Sequence, residues 1–156
     1  MMHYGFITGL PRSGSAWLAN YLSYGNCMFL HDAWKHGSPD EIKQKFESSS
    51  VYASGTADPA NVMLLDKIDK SFPDAKWVVI TRPVEEVKES CEAINFPFVD
   101  FTNNLKGLMS SRKVLKVPFK TMFKRADEIG RFIYPDWDSP PWRKSMLSDL
   151  NVQLHW

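Results

Sequence analysis

Cysteine is scarce in this chain, neither sign of charge is in excess, and no apolar run is long. The two cysteines are Cys27 and Cys91. So few, and so far apart, they exclude a disulfide framework and a thiolate metal site, and both are expected as reduced thiols. Lys and Arg (19) nearly balance Asp and Glu (18), for a net charge of +1. That balance supplies no long-range attraction to polyanions, so neither a nucleic-acid nor a membrane-surface partner is expected. The basic run Lys113, Lys116, Lys120, Lys124 and Arg125 reads as a solvated face. No apolar stretch approaches membrane-spanning length. The first apolar strand begins within the first few residues, which predicts no secretory leader and a cytoplasmic protein. His3, His31, His36 and His155 show no ligand spacing, so no metal is expected.

At 156 residues with 44% hydrophobic content, the chain is expected to form one domain over residues 1–156 with a real core. Strand-like and helix-like segments alternate along it. Strands are predicted at residues 3–9, 27–30, 51–54, 76–81 and 114–117. Helices are predicted at 15–24, from Ser38-Pro39-Asp40-Glu41 onward, from Asp58-Pro59 to Phe72, at 83–94, at 101–112 and at 120–133. A last amphipathic helix follows Pro140-Pro141, marked by Trp142, Met146, Leu147 and Leu150, and Trp137 is placed in an ordered loop before it. The alternation predicts an α/β fold of three layers: a P-loop-type, mostly parallel sheet of about five strands with helices on both faces. Ligands in such folds bind at the carboxyl ends of the strands. The loop after the first strand, His31-Asp32, Gly55–Asp58 and Arg82 are all expected on that edge.

The most informative stretch is Ile7-Thr-Gly-Leu-Pro-Arg-Ser-Gly-Ser-Ala-Trp17. A short strand runs into a Gly-containing loop, and a helix opens at Ser15, which gathers backbone N–H groups and a helix N-terminus at one point. Gly9 and Gly14 have the spacing of a nucleotide P-loop, but Ser15 stands where a Walker A loop carries Lys. The basic side chain sits inside the loop instead, at Arg12.

Pro11-Arg12-Ser13-Gly14-Ser15-Ala16-Trp17 resembles the phosphosulfate-binding loop of sulfotransferases that use 3′-phosphoadenosine-5′-phosphosulfate (PAPS), roughly Pro-Lys/Arg-Ser-Gly-Thr-Thr-Trp. A second motif of that family is an Arg at a strand end, a nearby Pro, and a Ser eight residues after the Arg. Here Lys76–Thr81 is followed by Arg82, Pro83 and then Ser90. The resemblance implies a sulfotransferase moving a sulfuryl group from PAPS to a hydroxyl or amine of a small-molecule acceptor, with no metal. It implies that the backbone of Arg12, Ser13, Gly14, Ser15 and Ala16, with the Ser13 and Ser15 hydroxyls, holds the 5′-phosphosulfate. Arg82 and Ser90 then hold the 3′-phosphate, and Trp17 stacks on adenine or, alternatively, is a core residue of the first helix.

Sulfuryl transfer asks for in-line positioning and for charge stabilisation on the leaving phosphate, which Arg12 supplies electrostatically. The acceptor needs a base. His31 and Asp32 at the end of the second strand are the candidates, His31 ahead, with turn residues as the alternative. The chain departs from the family in three ways: Ala16 replaces a loop Thr, the length is short, and no Arg-Lys-Gly segment occurs late in the sequence. Two other readings stay open. A P-loop nucleotide or small-molecule kinase needs the loop Lys and a Mg²⁺ carboxylate after a buried strand, whereas the strand at 76–81 ends in Thr81-Arg82. A non-catalytic nucleotide-binding module fits the short chain and Ala16. Trp34, Phe96, Phe98, Phe101, Trp137 and Trp142 are candidates for an acceptor-pocket wall or for core.

Overall fold

In a computed structural model, which describes residues 2–154 and the side chains of residues 2–147, five strands form one parallel sheet. They are β1 (His3–Gly9), β2 (Cys27–Leu30), β3 (Ala53–Ala57), β4 (Lys76–Thr81) and β5 (Leu115–Pro118), in the order β2-β3-β1-β4-β5. The helices are α1 (Ser15–Leu22), α2 (Pro39–Glu47), α3 (Leu65–Ser71), α4 (Val84–Ala93), α5 (Thr102–Ser111), α6 (Phe119–Met122), α7 (Ala126–Ile133) and α8 (Pro141–Leu154). Short 3-10 helices cover Ala33–Lys35 and Pro59–Leu64. This is the expected α/β fold.

Period-two alternation along the central strands builds a core on each face. In β4, Val78 and Ile80 join Ile7, Trp17, Leu18, Ile129 and Trp137 on one side. Trp77 and Val79 join Phe6, Phe46, Ile68 and Leu108 on the other. Both sets are almost completely buried, as a parallel sheet with helices on both faces requires.

Local chemistry explains most element boundaries. Ser38 caps α2 in a full capping box with Glu41, and Pro39 opens the helix as predicted. β3 lies later than the sequence pattern places it, at Ala53–Ala57 rather than 51–54. Its register sets Gly55 opposite Gly5, so the strand is fixed by close approach to β1 and not by bulky β-formers. The helix predicted over 58–72 is a 3-10 segment followed by α3, because Asp58 caps the amide of Ala60 and Asn61 turns inward to bond strands β1 and β3. The helix predicted at 120–133 is two pieces, α6 and α7.

Trp142 and Met146 of α8 point outward, at 61% and 47% exposure, against the expected amphipathic face. The buried residue is Arg143, whose guanidinium donates to the Tyr21 carbonyl and the Ser139 hydroxyl. Leu147 packs against the core, while the side chain of Leu150 and His155 lie outside the described residues. Trp137 is core, and its indole N–H donates to the Leu22 carbonyl. Among the described residues no helix is long and apolar enough to cross a membrane. Lys113, Lys116, Lys120 and Lys124 are exposed, and Arg125 pairs with Glu128, as a solvated face does.

Candidate functional site at the carboxyl edge of the sheet

The loop between β1 and α1 passes twice through the left-handed region, at Arg12 (φ 64°) and Gly14 (φ 77°). Alternating backbone of this kind turns successive amides toward one point. No side chain caps the N-terminus of α1. Ser13 is 3% exposed, and its buried hydroxyl has no hydrogen-bond partner among the described residues. A buried hydroxyl left this way in a loop of turned amides fits an anion acceptor.

Arg82, at the end of β4, folds back onto this loop. Its Nη1 donates to the Arg12 carbonyl. The Arg12 guanidinium in turn donates from Nε to Ser90 Oγ of α4, at 3.2 Å. Arg12, Arg82 and Ser90 are thus brought together, although the sequence assigns them to separate anion cradles. Burial, and then the neighbouring Arg12 charge, push the Arg82 guanidinium below its ordinary range, with Glu86 opposing. Arg82 Nε is buried without a hydrogen-bond partner and lies 3.8 Å from a Glu86 carboxylate oxygen. Two close cations with an unsatisfied donor form a site complementary to an anion.

The guanidinium of Arg82 also lies over the ring of Phe119, 4.0 Å from its centroid. Thr81, Arg82, Pro83, Glu86, Pro118, Phe119 and Lys120 line a cavity of about 730 Å³ beside the loop. A side chain at Gly14 would meet Met122 and come within 3.5 Å of Phe119, so the segment after β5 covers the loop. Phe119 is half-buried, packed against the core on the loop side of the sheet, with the Arg82 guanidinium over its ring. Nothing in the sequence singles it out, because a lone Phe after a short strand has no motif around it.

Trp17 does not take that place. It is 2% exposed, and its ring stacks on Tyr21 at 5.0 Å with an interplanar angle of 8°. Leucine, tryptophan and tyrosine at helical spacing in α1 turn this ring into the core, so of the two readings of Trp17 the core one holds and the adenine-stacking one does not.

A second group of side chains lies at the ends of β2 and β3. His31, Asp32 and Asp58 each bring one polar atom within 4.8 Å of the others'. His31 Nδ1 is 2.8 Å from the Ala57 carbonyl, so Nδ1 carries the proton and Nε2 keeps its lone pair when the ring is neutral. Nε2 is 3.7 Å from Asp32 Oδ1. Asp32 is partly buried, which alone raises its carboxyl, but the hydrogen bond from Lys35 and the charges of His31 and Lys35 together hold it below its usual value. Asp58 is 6% exposed, and burial pushes its carboxyl up. The sequence places Asp58 on this edge without a role. Its position matters because β3, and not β2, is the direct neighbour of β1.

Of the candidate wall residues, Trp34 bonds Asn61, and Phe98 and Phe101 pack against the core, while Phe96 is half exposed.

No family model and no curated protein matches the chain. Among solved structures, it is similar to the unliganded crystal structure of a protein described as a sugar kinase, from Janibacter sp. HTCC2649. The likeness is one of fold. It covers 90% of this chain and 100% of that one, with a TM-score of 0.58 and 11% sequence identity.

Proposed function

We propose that this chain is a P-loop group-transfer enzyme of the PAPS-dependent sulfotransferase type, acting on a small hydroxyl- or amine-bearing acceptor. The observation that supports it is the clasp of Arg12, Arg82 and Ser90, which joins the phosphosulfate-type loop to the Arg-Pro-x6-Ser motif in one cationic site. The residues present fit such a donor. The Ser13 hydroxyl and Arg82 Nε are buried donors with no hydrogen-bond partner among the described residues, and Phe119, with Arg82 over its ring, lines the cavity beside the loop.

Arg12 and the loop amides hold the leaving phosphate oxygens and stabilise charge as the sulfur–oxygen bridge breaks. The acceptor oxygen or nitrogen bonds to sulfur, and its proton passes to a base. His31 is that base: its Nδ1 is anchored on Ala57, and its Nε2 lone pair is the receiving position.

A specific observation favours a second reading, a P-loop kinase. Asp58 ends the strand next to β1, where a P-loop kinase places its Mg²⁺ carboxylate, and the solved neighbour is described as a sugar kinase. Ser15 in place of the loop Lys weighs against it.

Calorimetric titration with 3′-phosphoadenosine 5′-phosphate (PAP), and with ATP and Mg²⁺, separates the two. The sulfotransferase reading expects PAP to bind well above ATP, and labelled PAPS to deliver sulfate to some member of an acceptor panel. Magnesium-dependent preference for ATP supports the kinase. PAP binding with no transfer identifies a nucleotide-binding module without catalysis.

A further inference from the structure

Glu86 lies in the first turn of α4, where the usual task of a glutamate is closed to it. A glutamate three residues into a helix ordinarily reaches back to the amide of the N-cap residue. The N-cap of α4 is Pro83, which has no N–H to offer, and no side chain caps this end. The carboxylate faces Arg82 instead. Its Oε1 stands 3.8 Å from Arg82 Nε, beyond hydrogen-bond distance, and both side chains line the cavity beside the loop.

The two members of this pair are held very differently. The Arg82 side chain is 14% exposed, its Nη1 donates to the Arg12 carbonyl, and its guanidinium lies over Phe119. The Glu86 side chain is 56% exposed, with room to turn away. Burial disfavours the Arg82 charge, Glu86 supports it, and Arg12 opposes it. The carboxylate therefore offsets charge in the corner without making a hydrogen bond to Nε. A phosphate or sulfate oxygen on the same N–H makes one, at about 2.7–2.9 Å, and is the stronger partner.

We propose that Glu86 is a placeholder for the ligand's anion: its carboxylate neutralises part of the Arg12–Arg82 corner while the site is empty, and it turns away when a phosphate oxygen takes its place on Arg82. This makes Glu86 a specificity-determining residue. A lone inorganic anion must displace the carboxylate for the sake of one contact. A nucleotide whose other phosphate is held by the loop amides displaces it with binding energy from both places. The identity of that nucleotide rests on the proposed function, whereas the corner and its placeholder do not.

The test compares Glu86→Gln with Glu85→Gln in the full chain. Both remove one negative charge from the same helical turn, but Glu85 is 82% exposed and pairs with Lys88. Calorimetry with PAP, and melting curves in graded inorganic phosphate, read the corner directly. E86Q should bind PAP about three- to tenfold more tightly than E85Q at low salt, with the gap narrowing at high salt. Inorganic phosphate should raise the melting temperature of E86Q more than that of E85Q. In an Arg82→Ala background E86Q should lose its advantage, because the charge it unmasks is gone. Equal affinities of E86Q and E85Q overturn the proposal, as does weaker binding by E86Q, which would make the carboxylate a ligand contact. An advantage that survives Arg82→Ala overturns it too. If the wild type prefers ATP to PAP, the sulfotransferase reading falls, and the same comparison made with ATP still decides the placeholder. E86Q without response to either nucleotide or to phosphate refutes both.

Discussion

The Arg12 guanidinium donates to the hydroxyl of Ser90 at 3.2 Å, across 78 positions of sequence. The loop after β1 and the helix after β4 are thereby one structural unit, and Arg82 closes it by donating to the Arg12 carbonyl. An anion that takes a hydrogen bond from Ser90 must share this corner with both guanidinium groups.

Arg82→Ala should therefore weaken PAP binding by about 1.5–3 kcal/mol, the range for a charged hydrogen-bond donor, and Ser90→Ala by about 0.5–1.5 kcal/mol. Calorimetry on both variants checks this. ATP, which lacks the 3′-phosphate, should respond much less to S90A than PAP does. Equal losses for the two ligands would show that Ser90 does not read the 3′-phosphate.

Phe119 lines the cavity beside the same loop, with Arg82 over its ring. Base–aromatic stacking contributes about 1–3 kcal/mol per base by alanine substitution. Phe119→Ala is expected to weaken PAP and ATP alike within that range, while Phe119→Tyr keeps most of the affinity. Loss confined to PAP would place the ring against the sugar phosphate and not the base.

The parallel α/β sheet, the strand at Lys76–Thr81 and the loop between β1 and α1 were legible because each rests on short-range chemistry: apolar strands alternating with helices, and a glycine spacing between strand and helix. β3 was misplaced for a physical reason. Val51 and Tyr52 favour a strand, but Tyr52 is exposed, and the paired residues are the small ones, Ala53–Ala57. Tertiary proximity to Gly5 outweighed local propensity. Reading the strand as ending at Ser54 also hid Asp58, since its importance comes from β3 adjoining β1, a fact of topology. Trp17 has two readings in the sequence because a residue beside a phosphate loop is equally the first inward position of its helix, and the structure takes the core one.

Gly55 supports a stability prediction. A methyl group there would lie 1.7 Å from the Gly5 carbonyl oxygen, on the backbone of the paired strand. Backbone cannot move aside as a side chain does, so Gly55→Ala should cost about 4 kcal/mol or more, in the range diagnostic of a specific structural failure. Gly107, in α5, has nothing within 4 Å of its added methyl group, and Ala there should stabilise by about 0.5–1 kcal/mol through helix propensity. Thermal melts of the two variants should move in opposite directions. A well-folded G55A protein would mean that β1 and β3 are not in this register.

Asp58 and Asp32 make opposite contributions to the pH dependence of stability. Burial raises the Asp58 carboxyl above its ordinary 3.8. Its favourable contribution is therefore complete below about pH 3.8, and it is lost as pH rises through the elevated folded value. Asp32 is held below 3.8, mainly by Lys35 against the effect of burial, so its contribution is present above that pH and lost as pH falls through the lower folded value. Lowering the pH from 7 toward 4 thus relieves the cost of a buried charge at Asp58 before Asp32 begins to protonate. Asn at position 58 never bears that charge, so D58N should melt at or above the wild-type temperature at pH 7. The difference should narrow steadily as pH falls to 4, while D32N shows no such convergence in its favour. Melting curves of the three proteins across that interval are sufficient. A D58N–wild-type gap that stays constant with pH would show that Asp58 titrates at its ordinary value in the folded chain, and that its burial is compensated by the hydrogen bond from the Ala60 amide.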